Sequence, residues 1–202
     1  MRAAVCRRLG RPEEQVAVEE VPEPQPGEGQ VLVEVRAAGV NFVDALMVNG
    51  GYQITPPLPF TPGSEVAGVV AQVGPGVSGW EPGDQVFATV GLGGFSSHVA
   101  VGQAALHRIP PGLSFAQAAT FVQSYATMLF SYTRRDRLSP GEWVLVLGAG
   151  GGIGLAAVDL ARALGCQVVA AASSPEKLEA ARRAGASHLV GYEQEDLKTR
   201  VR

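Results

Sequence analysis

Thiols and imidazoles are scarce here: two cysteines, Cys6 and Cys166, and three histidines in 202 residues. Two distant thiols cannot build a four-thiolate zinc site, and they read as buried thiols of a reducing compartment rather than as a disulfide. His98, His107 and His188 occur singly, with no partnering pattern, and read as structural or exposed. A basic surplus is also lacking, since 16 lysines and arginines face 19 acidic residues for a net charge of −3. Nucleic-acid binders carry a clustered positive excess, so this balance argues against such a partner. The one basic cluster, Arg134, Arg135 and Arg137, reads as a solvated helix C-terminus. No apolar run approaches a membrane span, and MRAAVCRRLG lacks the apolar core of a signal peptide. These absences lead to the expectation of a cytoplasmic protein without a membrane partner. What is present, 46% hydrophobic and 17% charged residues, is a globular composition sufficient for one large or two small domains.

The chain has two grammars. As far as Leu113 it is punctuated by proline and glycine, as in VPEPQPGEGQ (21–30) and PPLPFTPG (56–63). Between them VLVEVRA (31–37) alternates, with Val31, Val33, Val35 and Ala37 expected on one buried face. EVAGVVAQV (65–73), DQVFATV (84–90) and FSSHVAV (95–101) are further strands, and VNFVDALMVNG (40–50) a short inserted helix. Many short strands with Gly/Pro turns suggest a barrel or sandwich. Over 114–135 proline and glycine are absent and a helix is expected, capped by Ser114 and packed by Tyr125, Phe130 and Tyr132. Strand 143–148, helix 152–164, strand 167–172, helix 175–184 and a short apolar SHLVGY then alternate, the pattern of a parallel sheet. The expected class is therefore all-β followed by α/β, with domains at 1–113 and 114–202.

The junction VLVLGAGGGIGLAAVDLARALG (144–165) holds the strongest motif. Glycine between two ordered elements is entropically costly, so a ligand contact is the natural compensation. Counting G-x-G-x-x-G back from Gly154 gives Ala149, Gly151 and Gly154, with alanine at the tight turn. Free amides around Gly152 and Ile153 would face a diphosphate at a helix N-terminus. Ile153, Ala157, Leu160 and Leu164 form the expected buried stripe, away from Asp159 and Arg162. A strand before the glycines and a helix after them is the context that distinguishes this motif from an ordinary turn.

About twenty positions on, NAD-specific sites place a carboxylate on the ribose hydroxyls. Here that place holds Ser173 in AASSPEK, with Ser174 beside it and Lys177 one turn later. Two hydroxyls and an ammonium suit a 2′-phosphate, which points to NADPH. A plain helix start with an exposed lysine would leave the same residues.

Taken in order, AAGVNFVDALMVNGGY (37–52), PFTPGSEVAGVVAQVG (59–74), WEPGDQVF (80–87), GGFSSHVAV (93–101) and GAGGGIGLAA (148–157) resemble the medium-chain dehydrogenase/reductases. The resemblance is to their zinc-independent quinone oxidoreductase branch, related to zeta-crystallin, and covers the whole chain. It implies a GroES-like barrel domain followed by a Rossmann domain, with the nicotinamide in the cleft between them. The positions that hold catalytic zinc in related alcohol dehydrogenases correspond to Asn41 and Ser64, neither a thiolate nor an imidazole, so no metal is expected and Glu65 is left an isolated carboxylate. Without a Lewis acid, an acceptor that delocalises the incoming charge is favoured, such as a quinone or an enone. By resemblance Asn41 contacts the nicotinamide or acceptor oxygen, Thr127 lines the nicotinamide pocket, Tyr52 is a proton donor or aromatic wall with Asp44 behind it, and Tyr192 lies near the adenosine. From the residues alone, Asn41 equally caps a helix, Tyr52 packs a loop and Thr127 bonds back to its own helix.

The same resemblance implies that the second half of the Rossmann sheet and the carboxyl-terminal return lie outside these residues. Strand 143–148 would then present an apolar edge through which copies of the chain could associate. The leading expectation is an NADPH-dependent oxidoreductase acting on a quinone or α,β-unsaturated carbonyl. An enoyl-thioester reductase and a non-catalytic NADPH-binding fragment are the alternatives.

Overall fold

The computed structural model describes residues 1–202, which form two compact units, Met1–Val122 and Gln123–Arg202. The first unit is built on an antiparallel sheet of five strands in the order β6-β3-β4-β5-β7. Its strands are β3 (Gln30–Gly39), β4 (Glu65–Val73), β5 (Gln85–Thr89), β6 (His98–Gly102) and β7 (Leu106–Arg108). A separate hairpin of β1 (Arg2–Cys6) and β2 (Val16–Glu20), with the one-turn α1 (Pro12–Gln15) between its strands, is bridged from Ala3 to Ser96 and from Cys6 to Phe60 in loops outside that sheet. The hairpin, β7 and α1 were not expected, because their segments are short and carry no Asn-Gly or Asp-Gly turn.

Side-chain alternation explains how this sheet is covered on two faces. On β4, Val66 and Val70 enter a valine core with Val31, Val33, Val86, Val99 and Val101, while Ala67 points the other way against Ala118 and Ala119. On β3 the expected single face breaks. Val31 and Val33 reach the valine core and Val35 packs on it, but Ala37 lies with Ala118 and Ala119, and Ala38 takes the core side. The cause is a register shift between Val35 and Ala37, one of two irregularities in the β3–β4 ladder. An extra residue in a strand moves every later side chain to the opposite face. At this crossing Gly68 passes so close to β3 that an added methyl would overlap the Glu34 carbonyl oxygen.

The expected single helix over 114–135 is three pieces: α3 (Phe115–Ala119), α4 (Phe121–Phe130) and a π turn over Ser131–Arg135. Ser114 caps the first, accepting the Gln117 N–H at 3.3 Å. Thr120 breaks the run with φ −110 and ψ 4, its hydroxyl bonded back to the Ala116 and Gln117 carbonyls. Tyr132 packs on the core of the second unit, whereas Phe130 is exposed under the Arg135 guanidinium.

The second unit is a parallel three-stranded sheet in the order β10-β9-β8. It runs β8 (Trp143–Leu147), α5 (Gly152–Ala163), β9 (Gln167–Ala172), α6 (Pro175–Ala184), β10 (His188–Gly191) and ends with the short α7 (Leu197–Arg200). Its core is rich in alanine: Ala149, Ala157, Ala161, Ala170 and Ala181 pack with Val144, Val146, Val158 and Val168. Small side chains let the helices lie close on the sheet. The residues buried on α5 are Gly154, Ala156, Ala157, Val158 and Ala161; of the expected stripe Ala157 is in the core and half-buried Leu164 packs on it, whereas Ile153 is 47% exposed and Leu160 is only half-buried. The larger side chains would hold the helix away from the strands. β8 is an edge strand, and Trp143, Leu145 and Leu147 stand exposed along it.

Replacing Gly68 with alanine is expected to destabilise the first unit by about 1–3 kcal/mol, the usual cost of forcing volume into a packed site. Urea unfolding of a Trp143→Phe background, in which Trp80 is the single tryptophan, would register it as a lower midpoint of the fluorescence change.

Candidate functional site

Two groups of residues carry the candidate chemistry, one in each unit. In the second, β8 ends at Leu147 and the chain turns at Gly148, whose φ of +64 is a left-handed conformation. The tight turn thus falls one residue before Ala149, where the motif count put it. Ala149 is fully buried and its N–H donates to the Ala171 carbonyl at 3.0 Å, extending the sheet. Gly151 donates to the Gly148 carbonyl at 3.1 Å. The next three amides, of Gly152, Ile153 and Gly154, find no acceptor in the protein, and no side chain caps the helix. They lie at the positive end of the twelve-residue α5.

The space before these amides suits a diphosphate. Gly151 and Gly152 are exposed, and a methyl added to either would meet nothing nearer than 3.6 Å. Gly154 does the opposite job. An added methyl there would fall 2.8 Å from the Ala149 Cα and collide with the Gly148 carbonyl, so its bareness lets α5 close on the strand end.

Because the three strands are parallel, their carboxyl ends share one edge of the sheet, where such sheets take ligands. The glycine turn follows β8, Ser173 and Ser174 follow β9, and Tyr192 follows β10. Ser174 is the N-cap of α6, accepting the Lys177 N–H at 3.4 Å. The Lys177 side chain turns back and its Nζ donates to Ser173 Oγ at 3.1 Å. Tyr192 is 43% exposed, and its amide donates to Ala172 at 3.3 Å. Thr127 is exposed on α4, its hydroxyl bonded back to the Gln123 carbonyl at 2.6 Å.

In the first unit, Asn41 precedes the helix α2 (Phe42–Asn49) and is held at two points. Its backbone N–H donates to Asp44 Oδ2 at 2.8 Å, and its carboxamide Nδ2 donates to Glu65 Oε1 at 2.9 Å. Glu65 is therefore not the isolated carboxylate expected from the sequence. It opens β4, is 2% exposed, and fits because Gly39 lacks a side chain that would collide with its Oε1 at 2.5 Å. With Nδ2 committed to Glu65, the Asn41 amide oxygen faces the Asp44 N–H in a capping box and keeps a second lone pair as an acceptor. Its capping and its presentation of a polar atom are compatible. Asp44 is 4% exposed, and its Oδ1 makes no well-formed hydrogen bond. Burial raises its pKa, opposed by the amides of Asn41 and Gly63. Tyr52 is half-buried in the loop after α2.

A carboxamide at Asn41, a hydroxyl at Ser64 and the Glu65 carboxylate do not suit zinc, which takes thiolate and imidazole nitrogen with at most one or two carboxylates. No group of three or more His, Cys, Asp and Glu side chains converges anywhere in the chain.

Residues 27–111 match the alcohol dehydrogenase GroES-like domain family, and residues 152–202 the family named zinc-binding dehydrogenase. Quinone oxidoreductase-like protein 2 of Rattus norvegicus is 41% identical over all of this chain and 57% of its own length. The quinone oxidoreductase of Escherichia coli, solved in complex with NADPH, superposes with a TM-score of 0.91 at 32% identity, covering 99% of this chain and 61% of that one. The Thermus thermophilus quinone oxidoreductase, solved alone and with NADPH, gives 0.87 at 40% identity over 100% of this chain and 63% of that one. The chain thus spans less than two thirds of the length of these relatives.

A carboxyl whose pKa is raised by folding loses stability as pH climbs from its ordinary range through the raised value, because the folded state must then bury a charge. The urea midpoint should therefore fall over that interval above the ordinary carboxylate range, and the fall should shrink in Asp44→Asn. Equal slopes for the two proteins would rule out Asp44 as the source.

Proposed function

The chain belongs to the zinc-independent quinone oxidoreductase branch of the medium-chain dehydrogenase/reductases, and from that premise we propose that it binds NADPH and serves its oxidation by a quinone or α,β-unsaturated carbonyl. The observation that carries the reading is the row of unanswered amides at Gly152, Ile153 and Gly154, opening a helix directly after a parallel strand. Three donors aimed at one open space call for an anion with several oxygens, which a diphosphate supplies. Ser173 and Lys177 add a hydroxyl and a cation at the next strand end, where a carboxylate would repel a 2′-phosphate. Tyr192 offers an exposed ring at the third strand end for the adenine.

Bound there, the cofactor supplies a hydride. The protein's part is to bind and orient. In the first unit, Asn41, fixed by Asp44 and Glu65, offers its carboxamide and Tyr52 its ring to the reactants; in the second, Thr127 offers its hydroxyl to the nicotinamide. Holding the partners in register accounts for much of the rate such a site can supply. The donor set favours acceptors that spread the incoming charge without a metal, hence quinones and enones.

Titration followed by nicotinamide fluorescence should give tighter binding of NADPH than of NADH. Ser173→Asp should weaken NADPH by about tenfold to a hundredfold, the worth of a charge-assisted hydrogen bond, with little change for NADH. Equal affinities for the two cofactors in the unaltered protein would remove the 2′-phosphate assignment. Stopped-flow NADPH oxidation with and without a quinone separates an enzyme from a binder.

A further inference from the structure

The glycines of the turn are not equivalent, and one lacks an explanation in the phosphate cradle. Gly148 has the left-handed backbone, Gly151 and Gly152 border open space, and Gly154 packs against the strand end. Gly150 has no left-handed φ and borders no open space. A Cβ built on it would lie 3.0 Å from the Lys177 Cα and would collide with the Lys177 Cβ and Cγ at 2.4 and 2.6 Å. These are the root atoms of the lysine, and rotation of its side chain cannot move Cα or Cβ aside.

The root is itself pinned. Ser174 caps α6 through the Lys177 N–H, and Pro175 begins the helix. At the far end the ammonium is held on Ser173 Oγ at 3.1 Å. The stem between these two anchors runs across the face of Gly150. The glycine turn is tied by the Ala149 and Gly151 amides, so a side chain at 150 forces the first turn of α6 outward and separates the ammonium from the cradle.

We propose that Gly150 is a specificity-positioning residue: the side chain it lacks is the space through which Lys177 reaches the 2′-phosphate of NADPH. The inference rests on the NADPH reading above. It assigns cofactor discrimination to a residue that makes no contact with the phosphate, acting through the lysine. NADH carries no phosphate at that ribose, so its binding does not depend on where the ammonium sits.

The test is a double-mutant cycle on the whole chain, with dissociation constants for NADPH and NADH measured for the unaltered protein, Gly150→Ala, Lys177→Ala and the double variant. Gly150→Ala should cut the preference for NADPH by about tenfold, the worth of a displaced charge-assisted contact, and leave the NADH constant in place as evidence of an intact cradle. On the Lys177→Ala background it should cut the preference no further. An unchanged preference in Gly150→Ala, a further fall in the double variant, or an equal loss of both cofactors would each overturn the inference while the NADPH reading stands. Lack of preference in the unaltered protein would overturn that reading and the inference with it.

Discussion

Backbone donors between Leu147 and Ala156 are the constraint from which the second unit follows. Each N–H must find an acceptor or stay in reach of solvent. Ala149 gives its own to the neighbouring strand and Gly151 gives its own to the turn, which leaves the amides of Gly152, Ile153 and Gly154 without an acceptor in the protein. A bulky residue at Gly151 or Gly152 would cover them, and one at Gly154 would lift α5 off the strand on which their alignment depends. The alanine-rich core beneath is the same requirement seen from below. Ala157, Ala161, Ala170 and Ala181 bring helices and sheet near enough that the start of α5 is set by the end of β8.

The first unit solves a different problem, that of a polar cluster without a metal to organise it. Asp44 and Glu65 are both buried, and burying two carboxylates is costly unless each serves as an acceptor. Both are joined to Asn41, one at the backbone and one at the amide. The asparagine consequently has little rotational freedom, and the part of it that can meet a ligand is chosen by the carboxylates behind it. Burial raising the Asp44 pKa is the local cost of that arrangement.

Legibility in the sequence follows the range of the forces involved. β4, β9 and α6 were readable to the residue because period, proline and capping are written within a few positions. The crossover of Ala37 to the far face of β3 was not, since a register shift is set by the partner strand and leaves no mark on local alternation. The break at Thr120 carries no local mark, since Thr127 makes the same back-bond to a carbonyl four residues earlier without interrupting α4. The stripe on α5 was misread because hydrophobicity favours Ile153 and Leu160, whereas close approach to a sheet favours glycine and alanine. Of the candidate site, the glycine run and the serine–lysine pair were evident, being contiguous. Glu65 was not connected to Asn41, because their meeting depends on the pairing of β3 with β4.

The glycines of one short turn show how far a motif is from a single requirement. Gly148 is bare for its φ, Gly151 and Gly152 for the space in front of them, Gly154 for the strand behind it, and Gly150 for a lysine stem that comes from the next helix. Only the first is a local property of the chain. Gly154 answers to a contact within the turn itself, and Gly150 to a residue beyond a whole helix and strand. Binding the diphosphate and reading the far phosphate are thus mechanically joined: the loop that supplies the amides also sets how near the ammonium can come. A change that loosened the packing of α6 on the turn would leave the amides in place and still weaken the reading of the second phosphate, because one depends on main-chain direction and the other on a side chain's approach.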